Sequence, residues 1–177
     1  MSRRNVSETD KVMIKVDNTS KIVAEVSEHL TNKYLSDLDN QLDTIRNRLN
    51  SQEIISDDTL EHLILDLANS LYFACSAQED LGIKEDTCKA IRQEVFNKAR
   101  EQAKGTVADK DMAGTLASQT ETITLAIYSR AYKKVKLKVE AGYEMLNSLK
   151  KVMNKRITEM ELSQSRYMGG QPDERIR

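Results

Sequence analysis

The chain has 177 residues, with 27 Lys and Arg against 28 Asp and Glu, for a formal net charge of −1. That length suits one domain, or one compact bundle with tails, and is enough to bury a core. One proline, no tryptophan and two phenylalanines in a Leu-, Lys-, Glu- and Ala-rich chain read as helix-forming and loop-poor. No apolar run approaches the ~18 residues that would suggest a membrane span.

Met1 to about Thr19 is polar and reads as a flexible tail. Val12, Ile14 and Val16 alternate with Met13 and Lys15, which allows a short strand, but a lone strand has nothing to pair with. The basic start, Met1-Ser-Arg-Arg-Asn, is followed by no hydrophobic core, so it does not read as a secretory signal. A first helix is expected from Ser20 to about Asn50. Ile22, Val26, Leu30, Tyr34 and Leu38 recur at four-residue steps, and Leu35, Leu38, Leu42, Ile45 and Leu49 at three-four steps. The second half is coiled-coil-like and the first half drifts out of that register. Asn47, Asn50, Ser51 and Gln52 mark a loop.

Ser56-Asp57-Asp58 is a helix start, with oxygens that accept from free N–H groups and oppose the dipole. Leu60, Leu63, Ile64, Leu67, Leu71 and Tyr72 form the apolar face of that helix. Leu81-Gly82-Ile83 is expected to end it through a left-handed glycine. A third helix, about Lys84 to Lys104, would then close an antiparallel hairpin, with Cys88, Ile91, Val95, Ala99 and Ala103 on its face and Gly105 as its stop. From Thr106 to Thr122 the pattern is helical, capped by Asp109, but weakened by Gly114, so it reads as separate from or kinked against the next helix.

The dominant helix is expected from about Glu121 to Leu162, on the order of 60 Å at 1.5 Å per residue. Tyr128, Tyr132, Val135, Val139, Gly142, Leu146, Leu149 and Met153 make a heptad seam along it. Gly142 permits close approach of a partner helix. A second apolar line, Leu137, Ala141, Met145 and Val152, implies contact from another direction. Beyond it, Gln164 to Arg177 holds Gly169, Gly170 and Pro172 and reads as a flexible tail. These elements predict an all-α antiparallel helical bundle, with two long coiled-coil-like helices and a shorter helical hairpin, over residues 20–162.

Catalytic chemistry is hard to find. Glu25 and His29, and His62 and Asp66, sit four apart, but the further Glu-x-x-His set of a di-metal bundle is missing, so surface pairs are expected and no metal or cofactor. There is no Gly-rich phosphate loop and no Ser-His-Asp arrangement. Cys75 and Cys88 lack Cys-x-x-Cys spacing and read as reduced, half-buried residues of a cytoplasmic protein. A non-enzymatic protein is expected.

What remains is charge. The same long helix carries Arg130, Lys133, Lys134, Lys136, Lys138, Lys150, Lys151, Lys155 and Arg156, against only Glu140 and Glu144 before Glu159. Solvated helices ordinarily alternate signs, so this bias points to an anionic partner or an acidic protein face. Lys and Arg at such spacings suit a phosphate backbone, where each contact releases a counterion. Tyr128, Tyr132 and Tyr143 offer stacking faces for unpaired bases, although Tyr128 and Tyr132 also fit the packed seam.

Two runs, Tyr128-Ser-Arg-Ala-Tyr-Lys-Lys-Val-Lys-Leu-Lys138 and Leu149-Lys-Lys-Val-Met-Asn-Lys-Arg-Ile157, together with Leu67-Ala-Asn-Ser-Leu-Tyr-Phe73, resemble small helical proteins of phage genomes. More loosely, the last third of the chain is similar in character to the phage recombination mediator family UvsY. That resemblance implies a ring-forming factor that loads a recombinase onto single-stranded DNA in a bacterial host cytoplasm. The expected function is thus a homo-oligomeric accessory factor of phage-type replication or recombination that contacts single-stranded DNA through the nine cations named above. The alternative is a helical adaptor or inhibitor that binds a host or phage enzyme, and a third reading is a scaffolding coiled coil.

Overall fold

The computed structural model describes residues 8–51 and 54–168. Among these residues the chain is all α, with four helices and no strand: α1 Glu8–Asn50, α2 Asp57–Gln102, α3 Val107–Ala117 and α4 Gln119–Met168. Gln52 and the tail residues Gly169, Gly170 and Pro172 lie outside the described residues. The antiparallel bundle expected from the periodicity is present. It is organised as two compact units, one joining the chain up to Ser36 with Phe73–Lys138, the other joining Asp37–Tyr72 with the chain from Val139 on.

The helices are longer than expected at three places. α1 begins at Glu8, so Val12, Ile14 and Val16 are helical rather than part of a strand or tail. A helix satisfies its backbone groups within the segment and needs no second strand. α2 runs through Leu81-Gly82-Ile83 without a break, which removes the expected hairpin at that point. A glycine ends a helix by turning left-handed, and the only described glycine with positive φ is Gly105, at 121°. Gly82 packs instead against Tyr132, whose ring carbon Cε2 would lie 3.4 Å from an added Cβ, and neighbouring Leu81 is fully buried. That burial outweighs the ~1 kcal/mol helix penalty of glycine. α4 continues to Met168, past Gln164.

The ends follow the local chemistry. Ser56 Oγ accepts from Thr59 N–H at 3.2 Å and its carbonyl from Leu60 N–H at 2.9 Å, so Ser56 starts α2 as expected. After Gly105, Thr106 caps α3: its hydroxyl accepts from Asp109 N–H at 3.3 Å, while the Asp109 carboxylate accepts from Thr106 N–H at 2.9 Å. α3 and α4 are separate elements divided at Ser118, as the weakened pattern suggested.

In the first unit, α2 pairs antiparallel with α3 and α4. Arg100 Nε is 2.8 Å from Asp111 Oδ1, and an added Cβ on Gly114 would stand 2.8 Å from the Phe96 ring, so a glycine is what lets α3 close on α2. Arg92 donates to Thr122 at 3.1 Å, Ser129 to Glu85 at 2.8 Å, and Tyr132 covers Gly82. The core is made of small residues, Ala74, Ala77 and Ala131, with Leu35, Leu81 and Val135. α1 turns Ser27 and Thr31 into it, while Ile22 and Val26, expected inside, are exposed. The two buried hydroxyls donate to Ala24 and Glu28 carbonyls of their own helix at 2.9 and 3.0 Å, so their burial leaves no donor unpaired.

In the second unit the core is Leu-rich: Leu38, Ile45, Leu60, Leu63, Leu67, Leu71, Val139, Leu146 and Leu149. Arg156 meets Asp57, and Gly142 meets Leu71. From 57 to 71 on α2 the partner number falls from 156 to 142, so this antiparallel pairing holds its register.

Candidate nucleic-acid interface

The seam of α4 sets where its cations point. Ala131 and Val135 in the first unit, and Val139, Gly142, Leu146 and Leu149 in the second, face inward. Tyr128, Tyr132 and Met153, also expected on the seam, are half-buried. The cations between these positions divide by what surrounds them.

In the first unit, Arg130 and Lys133 are exposed, and neither makes an ion pair or side-chain hydrogen bond among the described residues. Lys134 is half-buried, with Nζ 3.6 Å from Glu28 Oε1 on α1. Lys136 and Lys138 have interaction partners of their own. In the second unit, Lys150 and Lys151 are exposed and unpaired among the described residues. Lys155 lies 3.8 Å from Glu159 one turn on, an exposed contact that water screens. Arg156 is committed: one nitrogen, Nη1, donates to Asp57 Oδ1 and to the Ile55 carbonyl, each at 2.7 Å. It ties α4 to the start of α2 and is not a free surface charge.

The sequence pattern therefore overstated the free charge. Two of the acids that temper it come from other helices, Glu28 on α1 and Asp57 on α2, which linear spacing along α4 cannot reveal. Of the nine cations, Arg130, Lys133, Lys150 and Lys151 remain outward and unclaimed among the described residues. The tyrosines divide as well. Tyr132 packs on Gly82, whereas Tyr143 is exposed in the second unit, and so is Tyr72 on α2, a residue read from the pattern as part of the apolar face.

Lys89 and Asp109 have shifted titrations, and both lie away from this face. Lys89 is raised, first by its hydrogen bond to Asp86 and then by Glu85. Asp109 is lowered, first by the Thr106 hydroxyl and then by the Thr106 N–H. His62 stands 3.7 Å from Asp58 rather than pairing with Asp66, and Glu25 lies 3.9 Å from Lys21 rather than pairing with His29. Among the described residues no cluster of His, Cys, Asp and Glu could hold a metal ion, and no helix is long and apolar enough to cross a membrane. Both cysteines are half-buried, and neither is in a disulfide.

The fold and this surface define an all-α bundle whose longest helix carries outward cations in each unit. No model of a known protein family, no curated protein and no solved structure matches the chain.

Proposed function

We propose that this protein is a non-enzymatic accessory factor that contacts single-stranded DNA through α4 and acts as a homo-oligomer in phage-type replication or recombination. The observation that carries the reading is the set Arg130, Lys133, Lys150 and Lys151, exposed and without intramolecular counterions among the described residues. Unpaired cations on a rigid helix are available to phosphates at no cost in broken ion pairs. The phage setting rests on the resemblance of the Tyr128–Lys138 and Leu149–Ile157 runs. Oligomerisation is supported by apolar side chains left in water, namely Val12, Val16 and Ile22 on α1 and Leu137 on α4.

Labelled oligonucleotide titrated with the protein at several salt concentrations tests the reading. Log affinity should fall linearly with log salt, with a slope near −0.7 per neutralised phosphate on a single strand. Arg130→Ala with Lys133→Ala should weaken binding and flatten the slope by up to about 1.4 units, and Lys150→Ala with Lys151→Ala should do the same. No binding at low salt rejects the DNA reading. Light scattering that returns 20.1 kDa across micromolar concentrations rejects the oligomer.

A second reading, a helical adaptor for another protein, draws on α3. Its Val107, Met112 and Leu116 are all largely exposed on a short helix. Their substitution by Ser should leave DNA binding untouched under the first reading and abolish partner binding under the second.

A further inference from the structure

The second unit contains a pair of aromatic rings whose placement follows from helix geometry. Leu71 of α2 faces Gly142 of α4, whose added Cβ would lie 2.7 Å from Leu71 Cδ2. Viewed from one end, antiparallel helices wind in opposite senses. One residue on from a facing pair, both chains have therefore turned to the same side. Those residues are Tyr72 and Tyr143, exposed at 72% and 46%. One heptad further along, on that side, come Leu65 on α2 and Lys150 on α4, both exposed. Seven residues at 1.5 Å each put Lys150 about 10 Å along the helix from Tyr143.

Resting on the single-strand reading above, we propose that this side of the second unit is a base-stacking site. Tyr72 and Tyr143 take the faces of unpaired bases, Leu65 extends the apolar floor, and Lys150 takes a phosphate. Aromatic rings beside a cation bind any base, because every base has a π face. Paired bases keep their faces inside the duplex, so such a site selects single strands, which phosphate contacts alone do not. The lysine pattern predicts affinity, and the two tyrosines add the choice of strand.

The chain has no tryptophan and six tyrosines, two of them in this site, so the share of tyrosine quenching that is lost when Tyr72 and Tyr143 are replaced reports on it. The full-length protein is titrated with an oligothymidine of about 20 nucleotides, longer than a typical ~4–16 nucleotide site, and with a duplex of the same length. The wild type should bind the single strand with quenched tyrosine emission. Tyr72→Ala with Tyr143→Ala removes two stacking rings and should weaken single-strand binding by about thirty-fold or more, while leaving duplex binding unchanged. Tyr72→Phe with Tyr143→Phe should keep the affinity, because the rings remain, and lose part of the quenching. If the Ala variant binds the single strand like the wild type, or loses duplex binding equally, the stacking site is overturned while the DNA reading stands. If the wild type binds no DNA at all, both fall together.

Discussion

Gly142 gives the most direct test of how closely the helices of the second unit approach. It is buried, and a Cβ there would stand 2.7 Å from Leu71 Cδ2, with Leu71 Cγ and Leu38 Cδ1 both at 3.4 Å. Leu71 and Leu38 are each 1% exposed, so neither has open space to move into. Inserting a methyl into a packed core costs about 1–3 kcal/mol. Alanine returns about 1 kcal/mol as a better helix former. Gly142→Ala should therefore lower stability by up to about 2 kcal/mol, a fall in Tm of roughly 2–4 °C for each kcal/mol at this chain length. Leu71→Ala alone should cost about 2–5 kcal/mol, the range for a buried leucine. In the double variant the new methyl occupies room that Leu71 vacated, so the combined loss should fall short of the sum by about 0.5–3 kcal/mol. Urea denaturation followed by far-UV circular dichroism measures all three. A Gly142→Ala variant as stable as the wild type, with an additive double variant, would refute the close contact.

Two further outcomes rest on burial and capping. Leu146→Ala should cost about 2–5 kcal/mol and Lys151→Ala less than about 0.5, because Leu146 is on the inward seam and Lys151 is in water; equal shifts in Tm would mean α4 is rotated about its axis. The Asp109 carboxyl is held below its ordinary value of 3.8 by Thr106, so its capping contribution is present above that value and lost as pH falls through the lowered one. Amide protection factors in α3, corrected for the intrinsic pH dependence of exchange, should hold steady at neutral pH and fall only in strong acid; an Asp109 that titrates at or above its ordinary value by NMR contradicts the capping box.

The periodicity of this chain determined a good deal by itself. The seam through Val135, Val139, Gly142, Leu146 and Leu149 was legible because it depends only on the pitch of one helix. So was the start of α2 at Ser56-Asp57-Asp58, since a cap acts within one turn; at α3 Asp109 was read as the cap, whereas Thr106 is the N-cap and Asp109 completes its capping box from N3. Gly105 as the end of α2 was legible for the same reason.

What the tertiary structure decided were the features set by residues far apart in the chain. Gly82 reads locally as a terminator, yet α4 covers it with Tyr132 and α2 carries on. Ile22 and Val26 read as core by hydropathy, but Ser27 and Thr31 take the inward positions once the other helices are in place. The charge of α4 is the functional instance. Lys134 and Arg156 look as free in sequence as Lys133 and Lys151. Glu28 and Asp57, both distant along the chain, claim the first pair and leave the second to solvent. Backbone propensity and helical period act over a few residues and can be read along the chain. Charge compensation and close approach act through space, and only the folded arrangement determines which residues are neighbours.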